Sequence, residues 1–117
     1  MREVCPHLDV NLKPSKCIPQ IANKLNINGE IEDKCKKVAD YLCKNELLTG
    51  RSPYTIAGVA VYMATQLEEN NKKSFKDIGG AAELADATIR NAYKQVYHLR
   101  YDILEKLASK EDIDKAL

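Results

Sequence analysis

The sequence predicts an all-α fold of five core helices, a helix-turn-helix in its C-terminal half, and one or two extra terminal helices. Three observations predict it. Apolar residues recur at three- and four-residue spacing along most of the chain, and no stretch alternates as a half-buried strand does. Helix-starting and helix-stopping residues punctuate those stretches at regular intervals. The chain has 117 residues, 44% of them apolar, with a net charge of only +1. That suits one globular domain with one core and argues against a disordered polyelectrolyte.

Residues 1–13 lack any period and contain Pro6 and a polar stretch around Asn11, which reads as a flexible N-terminal arm. Ser15 is placed to cap a first helix through about Asn26, with Ile18, Ile21, Ala22 and Leu25 on one face. Asn28-Gly29 breaks it. The second helix runs from about Glu30 to Glu46, its stripe formed by Ile31, Cys35, Val38, Ala39, Leu42 and Cys43. Gly50 ends that segment. Ser52-Pro53 opens the next with a capping hydroxyl and a proline at the first helical position, where its missing N–H is harmless. The third helix, about Pro53 to Leu67, is apolar nearly all round and therefore belongs at the centre of the bundle. Glu68 to Lys73 is a polar loop. Ser74 with Asp77 resembles a capping box for a short fourth helix ending near Ala82. Asp86 is placed to cap a fifth helix through about His98. Tyr101–Ala108 and Lys110–Ala116 read as terminal helices, with a restart at Ser109 and Asp112.

Several function classes drop out at this stage. No apolar run approaches the roughly 18 residues of a membrane span, and Met1-Arg2-Glu3 opens no signal-peptide pattern. Cys5, Cys17, Cys35 and Cys43 form no C-x-x-C pair, so no metal site is expected. Cys35 and Cys43 read instead as small buried apolar residues of a reducing compartment. Ser52 is a helix cap, and neither His7 nor His98 has an evident nucleophile beside it. No catalytic residue, cofactor or small-molecule substrate is expected.

Residues 75–94, FKDIGGAAELADATIRNAYK, have the spacing of a helix-turn-helix. Ile78, Ala82, Leu84, Ile89 and Ala92 would clasp the two helices, and Gly79 would allow their backbones to approach. The turn position that usually carries glycine, because φ is positive there, holds Glu83. If the fifth helix is a recognition helix, its exposed N-terminal residues are Ala87, Thr88, Arg90 and Asn91. Arg90 can pair with guanine O6 and N7, Asn91 can serve adenine, and Ala87 can touch a thymine methyl. Lys72, Lys73, Lys76 and Lys94 flank the unit and would meet phosphates. Such helix pairs also occur in bundles that never touch DNA, so a protein-docking scaffold is the rival.

The segment from Gly50-Arg51-Ser52-Pro53 through Tyr62-Met63-Ala64, followed by Asp77-Ile78-Gly79 and Asp86-Ala87-Thr88-Ile89-Arg90-Asn91-Ala92-Tyr93-Lys94, resembles the second cyclin-like repeat of general transcription initiation factor IIB. The resemblance spans about residues 15–98. It implies a five-helix cyclin-like fold over residues 14–100, with the helix-turn-helix at about 74–98 and a helical tail at 101–117. It further implies a nuclear, non-enzymatic domain that binds promoter DNA at the upstream B recognition element, in the major groove beside the TATA-binding protein. Recruitment of RNA polymerase II would need the family's zinc ribbon and first repeat, which these residues do not include. A cyclin-box docking scaffold without DNA readout remains the alternative. The sequence departs from the family's pattern in three places. Ala87 stands where a base-contacting valine is usual, Glu83 stands where the turn glycine is usual, and Gly58-Val59 interrupts an alanine run.

A net charge of +1 taken alone opposes DNA binding, since nucleic-acid binders usually carry a basic excess. Its distribution changes that. Residues 1–69 carry nine basic and nine acidic groups, residues 70–100 six and three, and residues 101–117 three and five. The excess of +3 thus coincides with the helix-turn-helix. A local field of that size suits a modest, partner-dependent DNA contact.

Overall fold

Helix caps set most of the architecture. The computed structural model describes residues 14–48, 50–68 and 72–117, so the expected N-terminal arm lies outside the described residues. The elements run α1 (Pro14–Lys24), α2 (Gly29–Lys44), α3 (Pro53–Gln66), α4 (Phe75–Ala82), α5 (Asp86–Val96), a 3-10 turn (Tyr97–Leu99), α6 (Arg100–Leu104) and α7 (Lys110–Ala116). All regular structure among the described residues is helical, as the hydrophobic period requires.

α1 begins at Pro14, so Ser15 lies inside its first turn and does not cap it, contrary to the sequence expectation. Proline's fixed φ suits a helix start, which leaves the Ser15 hydroxyl two positions past the cap. Asn26, at φ 56°, ends the segment, and Asn28 then caps α2. Its Oδ1 accepts from the Ile31 N–H at 2.9 Å. α3 opens as expected. Ser52 Oγ accepts from the Thr55 N–H at 3.2 Å, with Pro53 at the first helical position.

α3 is the hub, packed on α1, α2, α4 and α5. Val59, Ala60, Val61, Met63 and Ala64 are all fully buried, as an all-round apolar helix must be. Each large core side chain of this kind contributes about 1.5–3 kcal/mol of burial. Gly58 lets α5 approach, since a Cβ there would lie 3.1 Å from Ile89 Cδ1. Cys35 is buried as expected, but Cys43 is exposed. Measured from Cys35 at about 100° per residue, Cys43 falls about 80° round the helix, at the margin of the buried stripe.

Candidate nucleic-acid interface

α4 and α5 form the helix-turn-helix. Ser74 Oγ accepts from the Asp77 N–H at 3.1 Å, and Asp77 Oδ2 accepts from the Ser74 N–H at 3.4 Å, which completes the expected capping box. The turn is set by Glu83, which adopts φ 60°, ψ 42°. This is the left-handed conformation that its position in the motif demands, at a cost of about 1–2 kcal/mol for a residue with a Cβ. Lys24 of α1 approaches the Glu83 carboxylate at 4.0 Å, but both side chains are largely exposed. Gly79 makes the tight crossing possible, because a Cβ there would stand 2.7 Å from the Leu84 carbonyl oxygen. Ile78, Ile89 and Ala92 are fully buried between the helices, and Leu84 packs at their edge.

With this clasp in place, α5 presents one face to solvent. Ile89, Ala92, Tyr93 and Val96 point into the core. Ala87, Arg90, Asn91 and Lys94 lie on the opposite side within an arc of about 100°, and all are exposed or half-exposed. Thr88 sits at the margin of this face and is half-buried. Gln95, which the sequence reading passed over, stands one turn beyond Asn91 and is exposed. Its spacing of four from Asn91 was the available signal.

A profile of the transcription factor TFIIB repeat matches residues 9–99. The chain belongs to this family. It is 33% identical over 115 residues to a transcription initiation factor IIB of Encephalitozoon cuniculi, an alignment covering 96% of this chain and 37% of that protein. A transcription initiation factor IIB of Haloarcula vallismortis is 30% identical over 97 residues, 80% of this chain and 84% of that protein. One from Drosophila virilis is 38% identical over 74 residues, covering 60% of this chain and 25% of that protein. The chain therefore spans little more than a third of the Encephalitozoon protein's length. It is a TFIIB-family transcription initiation factor sequence with an all-α, cyclin-like repeat fold.

Within this TFIIB repeat, the basic residues are not equivalent. Asp86 does not cap α5 as expected. Ala85 holds the cap position, and Asp86 is the first helical residue. Its Oδ2 instead accepts from Arg90 Nη2 at 3.0 Å, an (i, i+4) pair the sequence spacing allowed but the capping assignment concealed. Lys72, Lys73, Lys76 and Lys94 make no ion pair with another described residue. Phe75 and Tyr93 meet at 5.8 Å between ring centroids, which brings the Lys73–Lys76 segment to the Lys94 turn of α5. Gln66 Nε2 donates to the Lys73 carbonyl at 2.9 Å and pins that segment to the end of α3. Lys72 also borders a cleft of about 350 Å³ formed with Leu67, Leu107, Asp112 and Lys115, toward the tail.

Arg100 packs at the junction of α5 and the tail. Its guanidinium lies 4.1 Å from the Tyr97 ring centroid and 4.6 Å from that of Tyr101. It donates to the Tyr97 carbonyl at 3.0 Å and to the Tyr101 hydroxyl at 3.3 Å. These contacts tie Arg100 to the tail, but its partners are neutral, so its charge still adds to the field near the end of α5. Tyr62 and Tyr93 are interhelix contacts. Tyr62 stacks on Phe75 at 4.0 Å and meets Tyr93 edge-on at 5.0 Å. Among the described residues no helix is long and apolar enough to cross a membrane. Nor do His, Cys, Asp or Glu side chains among them group in a way that could hold a metal ion.

Proposed function

We propose that residues 14–100 dock α5 in the major groove of promoter DNA at the upstream B recognition element, beside the TATA-binding protein, with residues 101–117 as a helical tail. The chain acts as a non-enzymatic bridge in a nuclear preinitiation complex. RNA polymerase II joins through modules other than these residues. The observation that carries this reading is the division of α5. Its apolar face is locked into the bundle, and its other face offers Ala87, Arg90, Asn91 and Lys94 to solvent.

On this reading, Arg90 reads guanine, Asn91 reads adenine, and Ala87 and Thr88 supply short apolar contacts. With two methyls fewer than valine, Ala87 discriminates weakly. Lys72, Lys73, Lys76 and Lys94 contact phosphates and fix the register. Four such contacts give a slope of log K against log salt of about −3 to −4, which means modest affinity that rests on partners.

A gel shift at low and moderate salt tests the proposal. The chain, with a first repeat supplied, is added to the TATA-binding protein on a TATA-box duplex carrying the upstream element. A slower-migrating complex is expected, weakening with salt. Failure to form it at low salt sinks the DNA role and leaves the protein-docking scaffold.

A further inference from the structure

Asp86 occupies the first position of the presented face of α5, and both of its carboxylate oxygens are engaged. Oδ1 accepts from the Ala87 N–H at 3.0 Å, and Oδ2 accepts from Arg90 Nη2 at 3.0 Å. The pair is half-exposed, with the side chains of Arg90 and Asp86 retaining 43% and 50% of their accessible surface. An arginine has five N–H donors in a planar fork. The Asp86 bond uses one end of that fork, and the remaining N–H groups bond no other described residue.

Two consequences follow from this geometry. A guanidinium held in advance loses less side-chain freedom when it meets a base, so the contact it makes is stronger. A carboxylate, in contrast, is purely an acceptor and repels the phosphate oxygens that line the groove. Docking on DNA that gives Arg90 no good partner still brings this carboxylate close to the duplex, with only its pair to Arg90 and no base contact to offset the repulsion. Specificity of this kind comes from a repulsive element as well as an attractive one.

We infer that Asp86 is a specificity-determining residue of α5, which positions the Arg90 guanidinium for guanine and disfavours docking where guanine is missing. The inference rests on the DNA-reading role proposed for α5. It concerns a residue that acts through Arg90, so its signature is a change in preference between sequences.

The test compares wild type, Asp86→Asn, Asp86→Glu, Arg90→Ala and the Asp86→Asn/Arg90→Ala double variant. Each full chain, with the TATA-binding protein and a first repeat supplied, is titrated by fluorescence anisotropy at low salt onto two TATA-box duplexes that differ only by guanine-to-adenine replacement in the upstream element. Wild type is expected to prefer the guanine duplex by about tenfold. Asp86→Asn is expected to bind the adenine duplex more tightly than wild type and to lose most of the preference. Asp86→Glu, which reaches Arg90 from the same (i, i+4) position, is expected to retain it. The double variant is expected to show no less preference than Arg90→Ala alone. A guanine preference in wild type that Asp86→Asn leaves unchanged overturns the inference, as does equal weakening on both duplexes. Absence of any preference in wild type overturns the DNA-reading proposal, and this inference with it.

Discussion

Gly79 and Gly80 are neighbours in α4, yet the bundle treats them oppositely. A Cβ on Gly79 would meet the Leu84 carbonyl at 2.7 Å, backbone that has no room to move, whereas Gly80 has nothing within 4 Å. Helix propensity alone favours alanine at both positions by about 1 kcal/mol. Gly79→Ala is therefore expected to destabilise by about 1–3 kcal/mol, and Gly80→Ala to stabilise by about 0.5–1 kcal/mol. Urea denaturation midpoints check both signs, and a stabilising Gly79→Ala would show that the helices can separate at no cost. The thiol of Cys35 is a second residue-level probe. Burial, reinforced by the Glu32 carboxylate, pushes its pKa from 9.0 up to about 12. The unfolded chain therefore loses this proton first as pH rises. The stability due to the neutral thiol is fully present below pH 9, and it falls away between about pH 9 and 12. The slope is at most about 1.4 kcal/mol per pH unit. Urea midpoints measured for wild type and Cys35→Ala across that range should converge as pH rises; parallel curves would contradict the assignment.

Legibility in the sequence varied among residues for definite reasons. The left-handed Glu83 was readable because the motif sets the backbone there regardless of the side chain, and Gly79 because only one position in the crossing excludes a Cβ. Asp86 was misread because an aspartate before an apolar period satisfies the rule for a cap and the rule for an (i, i+4) pair equally well. Only the φ and ψ of Ala85 separate the two. Cys43 was misread because periodicity locates a stripe but blurs its margin.

At the scale of elements, the end of α5 and the tail form one unit. Tyr93, Tyr97, Arg100 and Tyr101 stack in succession. Tyr101 hydrogen-bonds Asp114 of α7, and the Tyr97 hydroxyl donates to the Leu117 carbonyl at 3.3 Å. Ile113 seals the contact, fully buried from the inner face of α7. Arg100→Ala is expected to lower stability by about 1–2 kcal/mol through lost stacking and hydrogen bonds. The larger effect belongs to α7, whose amide protons should exchange faster while those of α3 keep their protection. Unchanged protection in α7 would show that Ile113 and the tyrosine hydrogen bonds hold the tail without Arg100. The restart at Ser109 was legible because capping is local. The Arg100 stack was not, because it joins residues through contacts that no period marks.

For the whole molecule, a net charge of +1 hides a separation that the fold makes meaningful. The lysines at 72, 73, 76 and 94 cluster around the helix-turn-helix, Arg100 packs on Tyr97 and Tyr101, and the acidic excess lies in the tail beyond it. A field so confined suits docking on DNA already held by a partner better than independent binding. The most direct measurement compares wild type with Arg90→Ala in complexes with the TATA-binding protein, on a duplex whose upstream element contains guanine and on one of random upstream sequence. A major-groove role for α5 predicts that the variant loses about 1–3 kcal/mol on the guanine duplex and much less on the random one. Equal losses on both would contradict base reading by Arg90 and leave it only a phosphate contact.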